Sequence, residues 1–177
     1  MNEAKFKTAF KKSVKAHKGF SLSLAAPMIV GIPDLYVVLP EYLPVLLEAK
    51  YLGEIKREKF SRKVPFTLMQ QHWIQSCDNV SPYSAMGLVG FKYNNLYYAV
   101  LVKFGHKQFF NMSQDFLSEC SYVRVVSLSE TFDVSALFAN VPIPKIEKIN
   151  TPNWRITIDK DITPVRIDLS VPQGTIK

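Results

Sequence analysis

Two apolar runs, residues 35–39 and 45–47, form the clearest hydrophobic pattern in the chain. Both consist of aliphatic residues, with one tyrosine in the first run, a composition that favours β-strands. If residues 40–44, which begin and end with proline, turn the chain between them, the two runs form an antiparallel hairpin. Such a hairpin would bring Asp34, just before the first run, to the same end as Glu48, just after the second.

Polar residues at the open end of this hairpin are the best candidates for chemistry. Glu48 and Lys50 lie two positions apart and share one face of a strand, whereas Ala49 points to the other face. With Asp34 beside them, two carboxylates converge next to an amine. Carboxylate oxygens are ligands for Mg²⁺, which neutralises phosphate charge and activates water. The pattern therefore favours a metal-dependent hydrolase of phosphodiesters.

Two helices are predicted from apolar periodicity and capping residues. Between residues 2 and 17 an apolar residue recurs at every fourth position, with lysines on the other faces, which predicts an amphipathic helix that Asn2 caps and Gly19 ends. A second helix is predicted from Thr67, a capping residue, to about Cys77. The apolar positions of the first helix are Phe6, Phe10 and Val14.

The rest of the chain predicts further strands and one more helix. Residues 87–91 and 96–104 form a hairpin that two asparagines can turn. Residues 113–120 are predicted to be helical, and residues 122–128 to form a strand. This mixture of helices and strands predicts an α/β domain.

The charge of the chain suits a polyanionic partner. Its 177 residues include 22 Lys and Arg against 15 Asp and Glu, a net charge of +7. Residues 1–63, which contain the candidate carboxylates, hold +6 of this charge, whereas residues 64–140 carry −1 and residues 141–177 carry +2. Basic charge thus accompanies the candidate site, as expected for a protein that binds DNA.

Residues 51–65 are rich in charge and poor in apolar side chains, so we expect an exposed loop beside the site. Its basic residues are the best candidates for phosphate contacts. A solvated loop without such a role fits the sequence equally well. The residues are Arg57, Lys59, Arg62 and Lys63.

Cysteine content and hydropathy indicate the compartment. Cys77 and Cys120 are too few and too far apart for a disulfide framework or a zinc site, so we expect two free thiols. The first 18 residues lack the apolar core of a signal peptide, and no apolar run is long enough to cross a bilayer. We therefore expect a cytoplasmic protein, in the host cytoplasm if it is viral, with no membrane partner.

The ordered motifs resemble those of the PD-(D/E)XK nuclease superfamily. Pro33-Asp34 matches the first half of the motif, Glu48-Ala49-Lys50 matches the second, and Thr67–Gln70 opens the helix that follows. Over residues 1–105 the chain looks most like the VRR-NUC group and the related Holliday-junction resolvases, including small phage members. The triplet alone is a weak signal, but the ordered set is more specific.

The resemblance implies a restriction-endonuclease-like α/β core over residues 1–140, with helices flanking a mixed central β-sheet. The resemblance does not extend to residues 141–177, where prolines between short alternating runs predict an extended C-terminal tail, packed on the domain or on a partner. Resolvases of this kind pair two sites about a two-fold axis, and we predict a homodimer on that basis. The apolar edges of the tail could form its interface or pack on the chain's own core.

The resemblance also implies the metal ligands. Asp34 and Glu48, with the Ala49 carbonyl, would bind Mg²⁺ or Mn²⁺, and Glu3 would complete the ligand shell or bind a second ion. Simpler interpretations remain: Asp34 could cap a turn, Glu48 could form a surface ion pair with Lys50, and Glu3 lies near a terminus that could fray.

Two further residues receive catalytic roles from the resemblance. Lys50 would position the attacking water or stabilise the charged transition state. Gln70 would orient Lys50 or the scissile phosphate, although Gln71 fits the composition equally well and either could be an exposed helix residue.

The resulting hypothesis is a metal-dependent endonuclease that cuts DNA. Branched or junction DNA, in phage replication or recombination, is the substrate that the resemblance implies. The alternative is a catalytically inactive protein of the nuclease fold that binds DNA or associates with a virion.

Overall fold

A computed structural model describes most of the N-terminal two thirds of the chain and several segments beyond it. The described residues are 1–24, 31–56, 61–113, 126–127, 131–139, 141–143, 145–150, 153–157 and 165–167. The helices are α1 (Glu3–Ala16), α2 (Leu68–Val80), α3 (Lys107–Phe110) and α4 (Val134–Ala139). The strands are β1 (Phe20–Ser23), β2 (Leu35–Val38), β3 (Val45–Ile55), β4 (Ser61–Lys63), β5 (Ala85–Tyr93), β6 (Leu96–Val102), β7 (Asn111–Ser113), β8 (Val126–Ser127), β9 (Lys145–Asn150), β10 (Asn153–Thr157) and β11 (Val165–Ile167).

A six-stranded mixed sheet forms the centre of the fold, in the order β1-β2-β3-β5-β6-β8. Strands β3 and β5 are parallel, and the other neighbouring pairs are antiparallel. The predicted mixed α/β architecture is therefore confirmed. In the predicted hairpin of β2 and β3, Leu35 pairs with Leu47, so Asp34 and Glu48 meet at one end.

The first half of strand β3, residues 45–49, is buried on both faces because it lies between α1 on one side and α2 on the other. Leu47 and Ala49 belong to the core that contains Phe6 and Phe10 of α1. The residues of β3 that alternate with these two face the opposite side of the sheet. There Leu52 packs in a second core that includes Ile74 of α2. Glu48 points into this second side, which explains why a carboxylate in this strand is removed from water.

The prediction of an exposed loop over residues 51–65 is wrong for most of the segment. Strand β3 continues to Ile55, β4 follows, and Val64 and Phe66 are buried in the second core. Among the described residues of this segment, the charged side chains are exposed and the apolar side chains of Leu52, Ile55 and Val64 are buried, so its average composition does not reveal the buried positions.

The ends of both major helices follow the predicted capping. The Asn2 side chain accepts a hydrogen bond from the Lys5 N–H, and Thr67 caps α2, which runs three residues beyond Cys77. The helix ends shortly before Gly19, close to the predicted stop. The residue in the left-handed conformation after the helix is Lys18, with φ of 57°, and not Gly19.

The turn between β5 and β6 confirms the second predicted hairpin. Asn94 and Asn95 have φ of 46° and 62°, the left-handed conformation that a tight hairpin turn requires and asparagine tolerates.

Predictions for the C-terminal third are only partly covered. The helix over residues 113–120 lies almost wholly outside the described residues, and of the strand over residues 122–128 only β8 is described. Strands β9, β10 and β11 form a separate antiparallel sheet. The division into residues 1–140 and 141–177 stays a prediction.

Across the described segments, no helix has the length and apolar character needed to cross a membrane.

Candidate active site

Asp34 is held at the end of the hairpin by backbone groups of β3 and of the residue that follows β1. Its Oδ2 accepts a hydrogen bond of 3.0 Å from the Ala49 N–H. Its own carbonyl accepts a hydrogen bond of 2.8 Å from the Leu24 N–H, just after β1. Asp34 is therefore not a local turn cap, because its carboxylate binds a residue fifteen positions away and lies beside Glu48.

Glu48 is the most unusual polar residue in the described chain, since its side chain is only 1% exposed. Its Oε1 accepts hydrogen bonds from Lys50 Nζ at 2.7 Å and from Gln70 Nε2. Its Oε2 is also buried, but it has no hydrogen-bond partner among the described residues. Because an unsatisfied buried carboxylate oxygen is costly, this position favours a cation or a proton.

Gln70 reaches Glu48 because the start of α2 fixes its side chain. The Gln70 Oε1 accepts a hydrogen bond of 2.9 Å from the Thr67 N–H, and the Thr67 Oγ1 accepts one of 3.2 Å from the Gln70 N–H. This reciprocal capping leaves the Gln70 amide N–H₂ to donate to Glu48. Gln71 instead donates to the Phe66 carbonyl at 3.0 Å, so the structure distinguishes the two glutamines.

The segment before Asp34 packs closely on the start of α2. Gly31 has φ of +92°, and a Cβ at this position would lie 2.8 Å from the Met69 Cβ. Only glycine fits both the backbone conformation and the available space. Gly31 therefore lets the segment before Asp34 approach the start of the helix that carries Gln70.

Lys7 of α1 is a site residue that the sequence analysis missed. Its Nζ donates to Asp34 Oδ1 at 3.0 Å and lies 3.4 Å from Glu3 Oε1. Burial works to lower the pKa of Lys7, but the carboxylates of Asp34 and Glu3 outweigh it and raise the pKa above its ordinary value. The only sequence signal was the spacing of four between Glu3 and Lys7, which places them on one helix face.

The electrostatic environment shifts the ionisation of Glu48 into the neutral range. The pKa of Glu48 is raised from 4.5 to about 7 by burial together with the negative charges of Asp34 and Glu3, while Lys50 opposes the shift. Of these causes, burial is the largest. The negative charges of Asp34 and Glu3 are thus close enough to Glu48 to disfavour its ionisation.

This shift predicts how stability depends on pH in the absence of metal. A carboxyl whose pKa is higher in the folded than in the unfolded protein stabilises the fold below pH 4.5 and loses that contribution as pH rises through 7. The unfolding free energy of the native protein should fall by about 3 kcal/mol relative to Glu48→Gln between these limits. Urea titrations at several pH values measure the difference. If the unfolding free energies of the two proteins depended on pH in the same way, the raised pKa of Glu48 would be contradicted.

The predicted site residues are placed as follows. Asp34, Glu48, Lys50 and Gln70 converge, and Glu3 reaches Asp34 through Lys7. The 1% exposure of Glu48 means that its contact with Lys50 is no surface ion pair. Their catalytic and metal-binding roles stay predictions.

Two of the four residues predicted to contact DNA lie within the described part of the chain. Arg57 and Lys59 lie outside the described residues. Arg62 and Lys63 are exposed on β4, which is paired with β7, so these two belong to a strand and not to a loop. Their role in binding phosphate stays a prediction.

The donor atoms fit a magnesium-like cation. Within the described segments, no three His, Cys, Asp or Glu side chains are grouped to hold a metal. Asp34 and Glu48 would be the side-chain ligands, which fits Mg²⁺, since this ion usually keeps several waters and binds one or two carboxylates. In an antiparallel ladder the N–H and C=O of one residue face the same neighbouring strand. The Ala49 carbonyl therefore faces the Asp34 side.

Comparisons with known proteins give a similarity at the level of the fold. The fold resembles that of a Holliday junction resolvase. That resolvase is Hjc from the archaeal hyperthermophile Archaeoglobus fulgidus. Its sequence is 8% identical to the sequence of the present chain, and the two structures superpose with a TM-score of 0.39 over 63% of the present chain and 88% of the Hjc chain. No protein-family model matches the chain, and no curated protein matches it. We draw no functional conclusion from a similarity of this size.

Proposed function

We propose that the protein is a metal-dependent endonuclease that hydrolyses DNA phosphodiester bonds. The observation that carries this proposal is the asymmetric environment of Glu48. One of its oxygens is held by Lys50 and Gln70, and the other is buried without a donor in the described part of the chain. A divalent cation at that second oxygen, shared with Asp34, would offset the cost of burying the carboxylate.

The residues of the site divide the chemistry between them. Mg²⁺ or Mn²⁺, when bound by Asp34, Glu48 and the Ala49 carbonyl, would neutralise phosphate charge and make a water more acidic. In hydrolysis, the water oxygen bonds to phosphorus while the ester bond to the leaving oxygen breaks, and the proton that the water loses is balanced by one that the leaving oxygen gains from solvent. Lys50 would stabilise the negative charge that grows on the phosphate during this exchange. Gln70 would keep Glu48 and Lys50 in place.

The finer parts of the proposal concern substrate and assembly. Branched or junction DNA in phage replication or recombination, cut by a homodimer, is what the PD-(D/E)XK and resolvase-like motifs imply. The concentration of positive charge in residues 1–63 supports a polyanionic substrate. We propose that phosphates contact Arg57, Lys59, Arg62 and Lys63.

An inactive DNA-binding or virion-associated protein of the same fold is the second candidate. The site argues against it, because Lys50, Gln70 and Asp34 all surround a buried carboxylate that costs folding free energy when it is ionised. A protein without catalysis would be more stable with an apolar residue at this position.

A panel of DNA substrates tests the proposal. Linear, nicked, flapped and four-way junction DNA should be incubated with the protein in Mg²⁺, Mn²⁺, Ca²⁺ or excess EDTA. We expect cleavage in Mg²⁺ or Mn²⁺, DNA binding without cleavage in Ca²⁺, and no cleavage in EDTA. The pattern of cut substrates separates junctions from simple duplexes.

Two outcomes would contradict this function. Cleavage that persists in EDTA would show that the chemistry does not need a cation at Asp34 and Glu48. Binding of all four DNAs without cleavage in either Mg²⁺ or Mn²⁺ would favour the inactive alternative.

A further inference from the structure

Lys7 is bound by two of the three carboxylates at the site, and neither the sequence motifs nor the proposed reaction assigns it a role. Its Nζ lies 3.0 Å from Asp34 Oδ1 and 3.4 Å from Glu3 Oε1. The side chains of Lys7 and Asp34 are each 27% exposed, so solvent screens this pair less than a surface pair.

The two oxygens of Asp34 have different partners. The Ala49 N–H holds Oδ2, which fixes the carboxylate to the edge of β3. Lys7 holds Oδ1 with an ammonium group, the only charged partner of Asp34 among the contacts within the described residues. A divalent cation that binds Asp34 must therefore share this carboxylate with Lys7 or displace it.

The formal charges of the site make sharing unfavourable. Glu3, Asp34 and Glu48 bring three negative charges, and Lys7 and Lys50 bring two positive ones, so one negative charge remains. One divalent cation reverses the sign of that balance. Like charges at one carboxylate repel each other, and this repulsion is strong where water is partly excluded.

We propose that Lys7 is a resident counter-ion that competes with divalent metal for Asp34 and leaves Asp34 when the metal binds. This inference rests on the proposed function in one respect, namely that Asp34 is a metal ligand. The ammonium released from Asp34 is then available to a DNA phosphate. The anionic substrate would restore the charge balance, so metal and DNA binding should favour each other.

Calorimetric titration of Mn²⁺ alone into the protein without DNA tests the competition, at pH 8 so that Glu48 is largely ionised. Lys7→Met removes the charge and keeps the length of the side chain. We expect the Kd for Mn²⁺ to fall roughly tenfold or more, because a repelling charge in contact with the ligand is gone. Lys7→Arg keeps the positive charge that repels the metal and should keep the Kd within about twofold of the native value.

Lys12→Met is the matched control. Lys12 lies on the same helix, is exposed and carries the same charge, so its replacement changes the net charge equally. A general effect of net charge would lower the Kd in both methionine variants. The proposal requires the large change in Lys7→Met only. Circular dichroism and unfolding curves establish that each variant is folded, and Lys7→Gln replaces the methionine variant if that one does not fold.

The outcomes separate this inference from the proposed function. If the native protein binds Mn²⁺ and folded Lys7→Met binds it equally or more weakly, Lys7 is a structural partner of Asp34 and the competition is refuted. If neither the native protein nor any variant binds Mn²⁺, the metal site itself is refuted, and the proposed function fails with it.

Discussion

Glu48→Gln should abolish Mg²⁺-dependent DNA cleavage, with a loss in kcat on the order of 10³-fold, equivalent to several kcal/mol of transition-state stabilisation. The substitution keeps the size of the side chain and leaves an oxygen to accept hydrogen bonds from Lys50 and Gln70. It removes the negative charge and replaces the buried, unpartnered Oε2. The fold should therefore survive while a hard cation loses an anionic ligand.

Single-turnover cleavage and Mn²⁺ titration measure this loss on the same preparation. Glu54→Gln is the matched control, because Glu54 lies six residues further along β3 and is paired with Lys92 at 3.2 Å on the exposed part of the strand. The control should retain native cleavage and native Mn²⁺ affinity. A folded Glu48→Gln protein with native turnover would remove Glu48 from the mechanism.

Lys50→Met should lower cleavage by roughly 10²–10³-fold while Mn²⁺ binding is kept. Lys50 contacts Glu48 Oε1 at 2.7 Å and is proposed to act on the phosphate, so its loss affects the transition state more than the bound metal. Loss of this ammonium also raises the pKa of Glu48 further, because Lys50 lowers it in the native protein. Both proteins should therefore be assayed at pH 8.5, where most of the native Glu48 is ionised.

The control for Lys50→Met is Lys92→Met, which breaks the exposed ion pair with Glu54 on the neighbouring strand. It removes the same charge from the same sheet and should leave cleavage unchanged. If Lys50→Met lost Mn²⁺ binding as strongly as cleavage, Lys50 would act by holding Glu48 in its ionised state. Full turnover in Lys50→Met would exclude a catalytic role.

The sequence by itself determined the elements around the site, because the relevant signals are local. The two apolar runs of β2 and β3, with two prolines between them, were enough to predict a hairpin that places Asp34 opposite Glu48. Thr67 predicted the start of α2, since a capping side chain bonds within its own first turn. Such signals extend over a few residues and can be read without knowing the rest of the fold.

Only the tertiary structure decided the state of the site residues. Gln70 and Gln71 are equivalent in composition, and the direction of α2 relative to β3 selects Gln70 for Glu48. The same packing buries Glu48 and leaves one of its oxygens without a donor in the described chain.

Lys7 depends on tertiary structure in the same way. It is one of several lysines on α1, and it becomes a site residue only because the helix packs over the sheet and brings Lys7 to Asp34, 27 residues away. Burial and long-range contacts depend on how whole elements pack, which no local pattern encodes. For this reason the sequence could predict that Asp34, Glu48 and Lys50 converge, but it could not predict the charge state of Glu48 or the contact of Lys7 with Asp34.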